Sequence, residues 1–129
     1  MKWLKDIFSS SPADRHDRPK LPPLDDWFLV RFDDAVITLE VSPPNGTPWG
    51  AEIKWARIIR VCFKSGSWDS RDEVYIFTDE RPESYLIPTA AGGGGALWDE
   101  IIRRKLFDAE TAIEAATSTD KLFCWPPAD

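Results

Sequence analysis

Histidine is almost missing from this chain. His16 is the single copy in 129 residues, and it falls among Ser, Pro and charged residues. A general base needs a fixed orientation, which such a segment does not supply. Ser–His–Asp and Cys–His schemes go with it. Cysteine is nearly as scarce. Cys62 and Cys124 lie in the apolar runs IIRVCFK and KLFCWPP, with neither CxxC spacing nor a neighbouring histidine, which argues against zinc. They read as two reduced, buried thiols. No run reaches the roughly 18–20 apolar residues of a membrane span. The opening MKWLKDIF is too short, and too broken by Lys5 and Asp6, for a signal peptide. Positive charge is also short: 16 Lys and Arg face 22 Asp and Glu, a net charge of −6. Such a chain is a poor candidate for nucleic acid or for a purely electrostatic grip on anionic lipid. The expectation is a cytoplasmic protein with no cofactor and no transmembrane segment.

Carboxylates are plentiful, as Asp33-Asp34, Asp69 with Asp72 and Glu73, Asp79-Glu80 and Asp99-Glu100. All fall in predicted turns or on exposed helix faces, where solvation is the plain reading. DSRDE lacks the spacing of an EF-hand loop. No catalytic residue emerges, and an enzyme is not expected.

What the chain has is tryptophan, seven copies, within a 43% hydrophobic composition. That suits one domain with one sizeable core. Residues 9–26, SSSPADRHDRPKLPPLDD, hold too little apolar surface to offset the entropy of ordering and read as a linker. Before them, Trp3, Leu4, Ile7 and Phe8 recur at the spacing of one helical face. Eight residues are too few to hold a helix alone in water.

The body, residues 27–129, opens with strand patterns. WFLVRF and AVITLEV flank the turn pair Asp33-Asp34, and SPPNGTPWG is a loop. AEIKWARIIRVCFKS reads as two short strands or one bent strand. EVYIFTD and SYLIP follow, each bounded by turn residues. With KLFCW at the end, about seven strands are expected, and their short spacing signals an antiparallel sandwich or barrel. The period then changes. Leu97, Trp98, Ile101, Ile102 and Leu106 share a helical face. Asp108 can cap a second helix with Ala109, Ala112, Ile113 and Ala116 inward. The class is therefore α+β.

Between strand and helix lies TAAGGGGALWDE. Gly92–Gly95 occupy the place of a phosphate-binding loop, but no Gly-Lys-Ser/Thr follows, the next element is not a parallel strand, and Asp99 and Glu100 oppose an anion. The tract reads as a joint that lets the chain leave the sheet and lay a helix against it.

Ile53, Trp55 and Ile58 in EIKWARIIRVCF form an Ile-x-Trp-x-x-Ile pattern. With Pro88, the Phe107-Asp108 joint, and Phe123 with Trp125, the chain resembles bacterial families of pleckstrin-homology-like barrels over roughly residues 27–125. The resemblance implies a barrel of about seven strands with C-terminal helices. Headgroup-binding members carry Lys and Arg at the first hairpin. Here that turn is Asp33-Asp34, with Arg31 nearby, so the resemblance implies a protein-interaction scaffold instead.

Two functional readings follow. In the first, the domain is a non-catalytic module binding another protein or itself, with loop residues Trp49 and Trp68 as anchors, since Trp is enriched at interface hot spots. An immunity- or antitoxin-like inhibitor steered to a basic partner is one version. The plain alternative is that each Trp covers an end of the core. In the second, Trp3, Leu4, Ile7 and Phe8 enter a membrane surface, with Lys2 and Lys5 at the headgroups.

Overall fold

A computed structural model describes residues 22–127. The amphipathic segment 1–8 and His16 lie outside the described residues. The chain enters through a four-residue helix, α1 (Leu24–Trp27), and Leu24, which composition places in the linker, is buried in the core.

Strands β1 (Phe28–Phe32), β2 (Val36–Val41) and β3 (Trp49–Lys54) form an antiparallel sheet in the order β1-β2-β3. The first hairpin is set by Asp33, whose Oδ1 accepts from the backbone N–H of Ala35 and Val36 at 2.8 Å each. These bonds hold its carboxyl below the ordinary value of 3.8. Alternation sends Phe28, Val30, Ile37, Leu39, Val41 and Ile53 inward and the Arg31–Glu40 ion pair outward.

A 3-10 turn at Trp55–Arg57 carries the chain into the second sheet. Trp55 anchors this corner: its indole N–H donates to the Asp33 carbonyl at 2.8 Å, and the Arg104 guanidinium lies 4.0 Å over its ring. Strands β4 (Ile58–Lys64), β5 (Glu73–Thr78) and β6 (Arg81–Pro88) form an antiparallel meander. The last strand, β7 (Leu122–Trp125), pairs with the other edge of β4, giving the order β6-β5-β4-β7. Val61, Phe63, Val74, Ile76 and Ile87 face the core.

Helix α2 (Gly94–Arg103) lays Leu97 and Ile101 on that core, with Trp98 stacked at 4.8 Å on Phe63 and 4.9 Å from Phe107. Helix α3 (Ala109–Ala116) starts at Asp108, whose carboxylate accepts from the backbone N–H of Thr111 at 3.0 Å. The α+β class and antiparallel pairing therefore stand. The inner face expected for α3 is corrected. Ala115 is buried and Ala112 partly so, while Ile113 is 69% exposed. The helix is rotated from the expected face, so that Ala115 points in and Ile113 out.

The barrel is a second correction: among the described residues the sheets do not close. Closure would need an edge of one sheet to ladder onto the other. The chain bends between β3 and β4 without a ladder, and the outer edge of β1 is taken by the glycine tract. The Val30 N–H donates to the Gly92 carbonyl at 2.7 Å, and the Gly92 N–H to Phe28 at 2.8 Å.

A third correction concerns the cysteines. Register places Cys62 directly across from Cys124 with Cα atoms 4.0 Å apart, and the two form a disulfide rather than two thiols.

Candidate functional site

The glycine tract packs against β1. Gly93 has φ +84°, and a Cβ there would lie 2.2 Å from the Val30 carbonyl oxygen. Glycine is used because β1 of the same chain passes this close. The joint expected from sequence is thus a backbone-to-backbone seam.

The two loop tryptophans separate sharply. Trp49 begins β3 on the inward-facing side and meets Phe28 edge-on, with ring centroids 6.2 Å apart. It is 47% exposed, so half of it caps the end of the first sheet's core. Trp68 is 96% exposed, at the tip of the loop joining β4 to β5. A bare indole is costly to leave in water, since Trp carries the largest apolar surface of any side chain.

The loop beneath Trp68 is well braced. The Gly66 N–H donates to Asp72 Oδ1 at 2.7 Å and the Ser67 N–H to Ser70 Oγ at 3.0 Å. The Ser67 hydroxyl donates to Asp69 Oδ1 at 2.6 Å. Its base is tied to neighbouring strands. The Ser65 N–H donates to the Lys121 carbonyl at 2.8 Å, the Lys121 N–H returns a bond to Ser65 Oγ at 3.0 Å, and the Thr89 N–H donates to the Asp72 carbonyl at 3.2 Å. Gly66 is required here: a Cβ would sit 2.3 Å from the Ser70 carbonyl oxygen. The carboxylates Asp69 and Asp72, read from sequence as solvated, are the acceptors that shape the loop. A shallow depression of about 440 Å³ beside the indole is lined by Asp69, Ser70, Arg71, Glu73 and Pro88.

An open cleft of about 750 Å³ lies where Trp55 turns the corner, between Asp34, Lys54, Arg104 and Leu106. Its main cation is already engaged: Arg104 Nε donates to Glu100 at 2.8 Å while the guanidinium stacks on Trp55. Arg103 and then Arg104 hold the Glu100 carboxyl down at about 2. These groups brace α2 against the corner, and the signal that links them, the i to i+3 and i+4 spacing of Glu100 with Arg103 and Arg104, is present in the sequence.

Among the described residues no group of three or more His, Cys, Asp or Glu is placed to hold a metal ion. No described helix is long and apolar enough to cross a membrane. Trp3, Leu4, Ile7 and Phe8 lie outside the described residues. Comparison of the chain with known protein families, curated proteins and solved structures finds no match.

Proposed function

We propose that this domain is a non-catalytic protein-interaction module, and that Trp68 is its principal anchor. One observation carries the reading: an almost fully exposed indole on a loop that hydrogen bonds hold in one shape. Interfaces concentrate their energy in such aromatic residues, and a braced loop loses little entropy when it docks. Trp49 is the secondary candidate because half of its surface already serves the core. The net charge of −6 supports a basic partner, as an immunity- or antitoxin-like inhibitor would have. The pleckstrin-homology-like assignment is part of the same proposal. It is supported by two antiparallel sheets joined at Trp55 and packed by α2.

The test is affinity capture with the full chain, comparing wild type with Trp68→Ala and Trp49→Ala. A stoichiometric protein held by wild type, lost with Trp68→Ala and kept with Trp49→Ala is the expected result. Equal capture by all three chains overturns the reading. Capture should also weaken as salt rises, because steering between opposite charges is screened.

The cytoplasm and an oxidising compartment make opposite demands on Cys62 and Cys124. Disulfides persist in secreted and periplasmic proteins and are rare in the cytosol, so the bond supports the oxidising compartment. Thiol alkylation of protein taken directly from its native cells decides between them: two labelled cysteines place it in the cytoplasm.

A further inference from the structure

The four-stranded sheet has a second face, turned away from the core, where the register sets apolar side chains beside Arg60, Lys64 and Glu73. Cys62 stands between Cys124 and Tyr75, and Tyr75 stands across from Leu86. One step along, Leu122 stands across from Lys64, and Lys64 across from Glu73. Leu122 is 60% and Leu86 41% exposed. Between them runs a groove of about 220 Å³ lined by Cys62, Lys64, Tyr75, Phe77 and Leu122. Small-molecule pockets run to roughly 300–1,000 Å³, so this groove suits the side chains of a peptide better than a cofactor.

A suitable peptide is tethered close by. The described chain enters beside the glycine tract, where the Asp25 carbonyl oxygen lies 3.0 Å from the Cβ position of Gly92. Gly92 is four residues beyond Pro88, the end of β6, and β6 is the edge strand bearing Leu86. Gly92 is six positions beyond Leu86, at most about 22 Å of chain. Residues 9–21 can span at most about 45 Å. The entry point, the sheet edge and the groove therefore all fall within easy reach of residues 1–8.

Chemistry matches as well as distance. Trp3, Leu4, Ile7 and Phe8 supply an apolar stripe that eight residues cannot stabilise alone. The face itself carries Arg60 and Lys64 beside Glu73, so the contact rests on the apolar stripe rather than on charge. A short tether turns docking into an intramolecular event at an effective concentration on the order of millimolar, so a weak contact suffices.

We propose that residues 1–8 dock on the outer face of the four-stranded sheet of their own chain, with Trp3, Leu4, Ile7 and Phe8 covering Tyr75, Phe77 and Leu122. The covered surface is distinct from the Trp68 loop, and the proposal stands independently of that loop's role.

The experiment is NMR and amide hydrogen exchange on the full chain, in wild type, Leu122→Lys and Trp3→Glu/Ile7→Glu. Circular dichroism melting checks that each variant folds; Leu122 is exposed enough for the lysine to be tolerated. The expected result has two parts. Amides of residues 2–8 exchange about tenfold more slowly in wild type than in Leu122→Lys. Trp3→Glu/Ile7→Glu shifts the resonances of Cys62, Tyr75, Phe77 and Leu122, with no dependence on protein concentration. Unprotected amides, or resonance shifts centred on another face, overturn the proposal. So does protection that vanishes on dilution, which makes a second copy the occupant. Protection that appears only with phosphatidylglycerol vesicles overturns it in favour of a membrane surface.

Discussion

Two neighbouring glycines should respond to the same substitution with opposite signs. At Gly93 an alanine methyl would lie 2.2 Å from the Val30 carbonyl oxygen, at φ +84°. Ordinary contact needs more than 3 Å, so the seam must open by about 1 Å. Opening it threatens the two bonds that join Gly92 to Phe28 and Val30. A left-handed backbone costs a residue with a Cβ roughly 1–2 kcal/mol, and each lost bond about 1 kcal/mol. Gly93→Ala should therefore destabilise the domain by about 3–4 kcal/mol. At Gly95, in the first turn of α2, the same methyl meets nothing within 4 Å. Removing glycine's excess freedom there should stabilise by about 0.5–1 kcal/mol. Urea unfolding followed by circular dichroism reads both variants against wild type, with an unchanged m-value showing that the same surface is exposed. If Gly93→Ala falls within 0.5 kcal/mol of wild type, or if both variants move in one direction, the seam between β1 and the glycine tract is wrongly described.

Three further outcomes are expected. Cys62→Ala/Cys124→Ala opens a loop between residues 62 apart in sequence, and the chain-entropy relation puts the loss at about 4 kcal/mol; thermal unfolding with and without reductant measures it, and a wild-type transition indifferent to reductant would count against the bond. Asp108→Ala removes the cap of α3 and should cost about 1 kcal/mol in the same unfolding assay. Glu100 is held at about 2 by Arg103 and then Arg104, so its contribution is complete above its ordinary value of 4.5 and is lost as pH falls through about 2. Between those limits the stability of wild type should fall more steeply with acid than that of Glu100→Gln, as urea midpoints at several pH values will show.

Local chemistry was readable from the sequence; pairing at a distance was not. Asp33 and Asp108 are legible as a turn former and a cap because their partners lie within three residues. The buried pair Leu97 and Ile101 follows from helical period alone. The disulfide was missed because Cys62 and Cys124 meet through the pairing of β4 with β7, and nothing near either cysteine announces which strand the last one joins. Barrel closure failed for the same reason: strand spacing counts strands but does not say that Gly92 will occupy the edge of β1. In α3 the period points to Ala109, Ala112, Ile113 and Ala116 as the inner face, but in so small a helix, mostly alanine, it does not fix the rotation that buries Ala115 and exposes Ile113. Trp49 and Trp68 are both loop tryptophans in sequence. Phe28, 21 residues before Trp49, is what tells them apart.

The Cys62–Cys124 bond also sets how this domain would bear a mechanical load. A force applied through the two ends of the chain would pass from Cys62 straight to Cys124 through the covalent bridge. The first sheet would carry it as far as β4. The intervening residues, which include β5, β6, α2 and α3, would hang from the bridge as a loop outside the line of tension. Their contour, about 220 Å at 3.3–3.6 Å per residue, would stay hidden from stretching until a reductant released it. In an extension trace the domain would behave as a chain roughly half its length, with the other half kept in reserve behind one sulfur–sulfur bond.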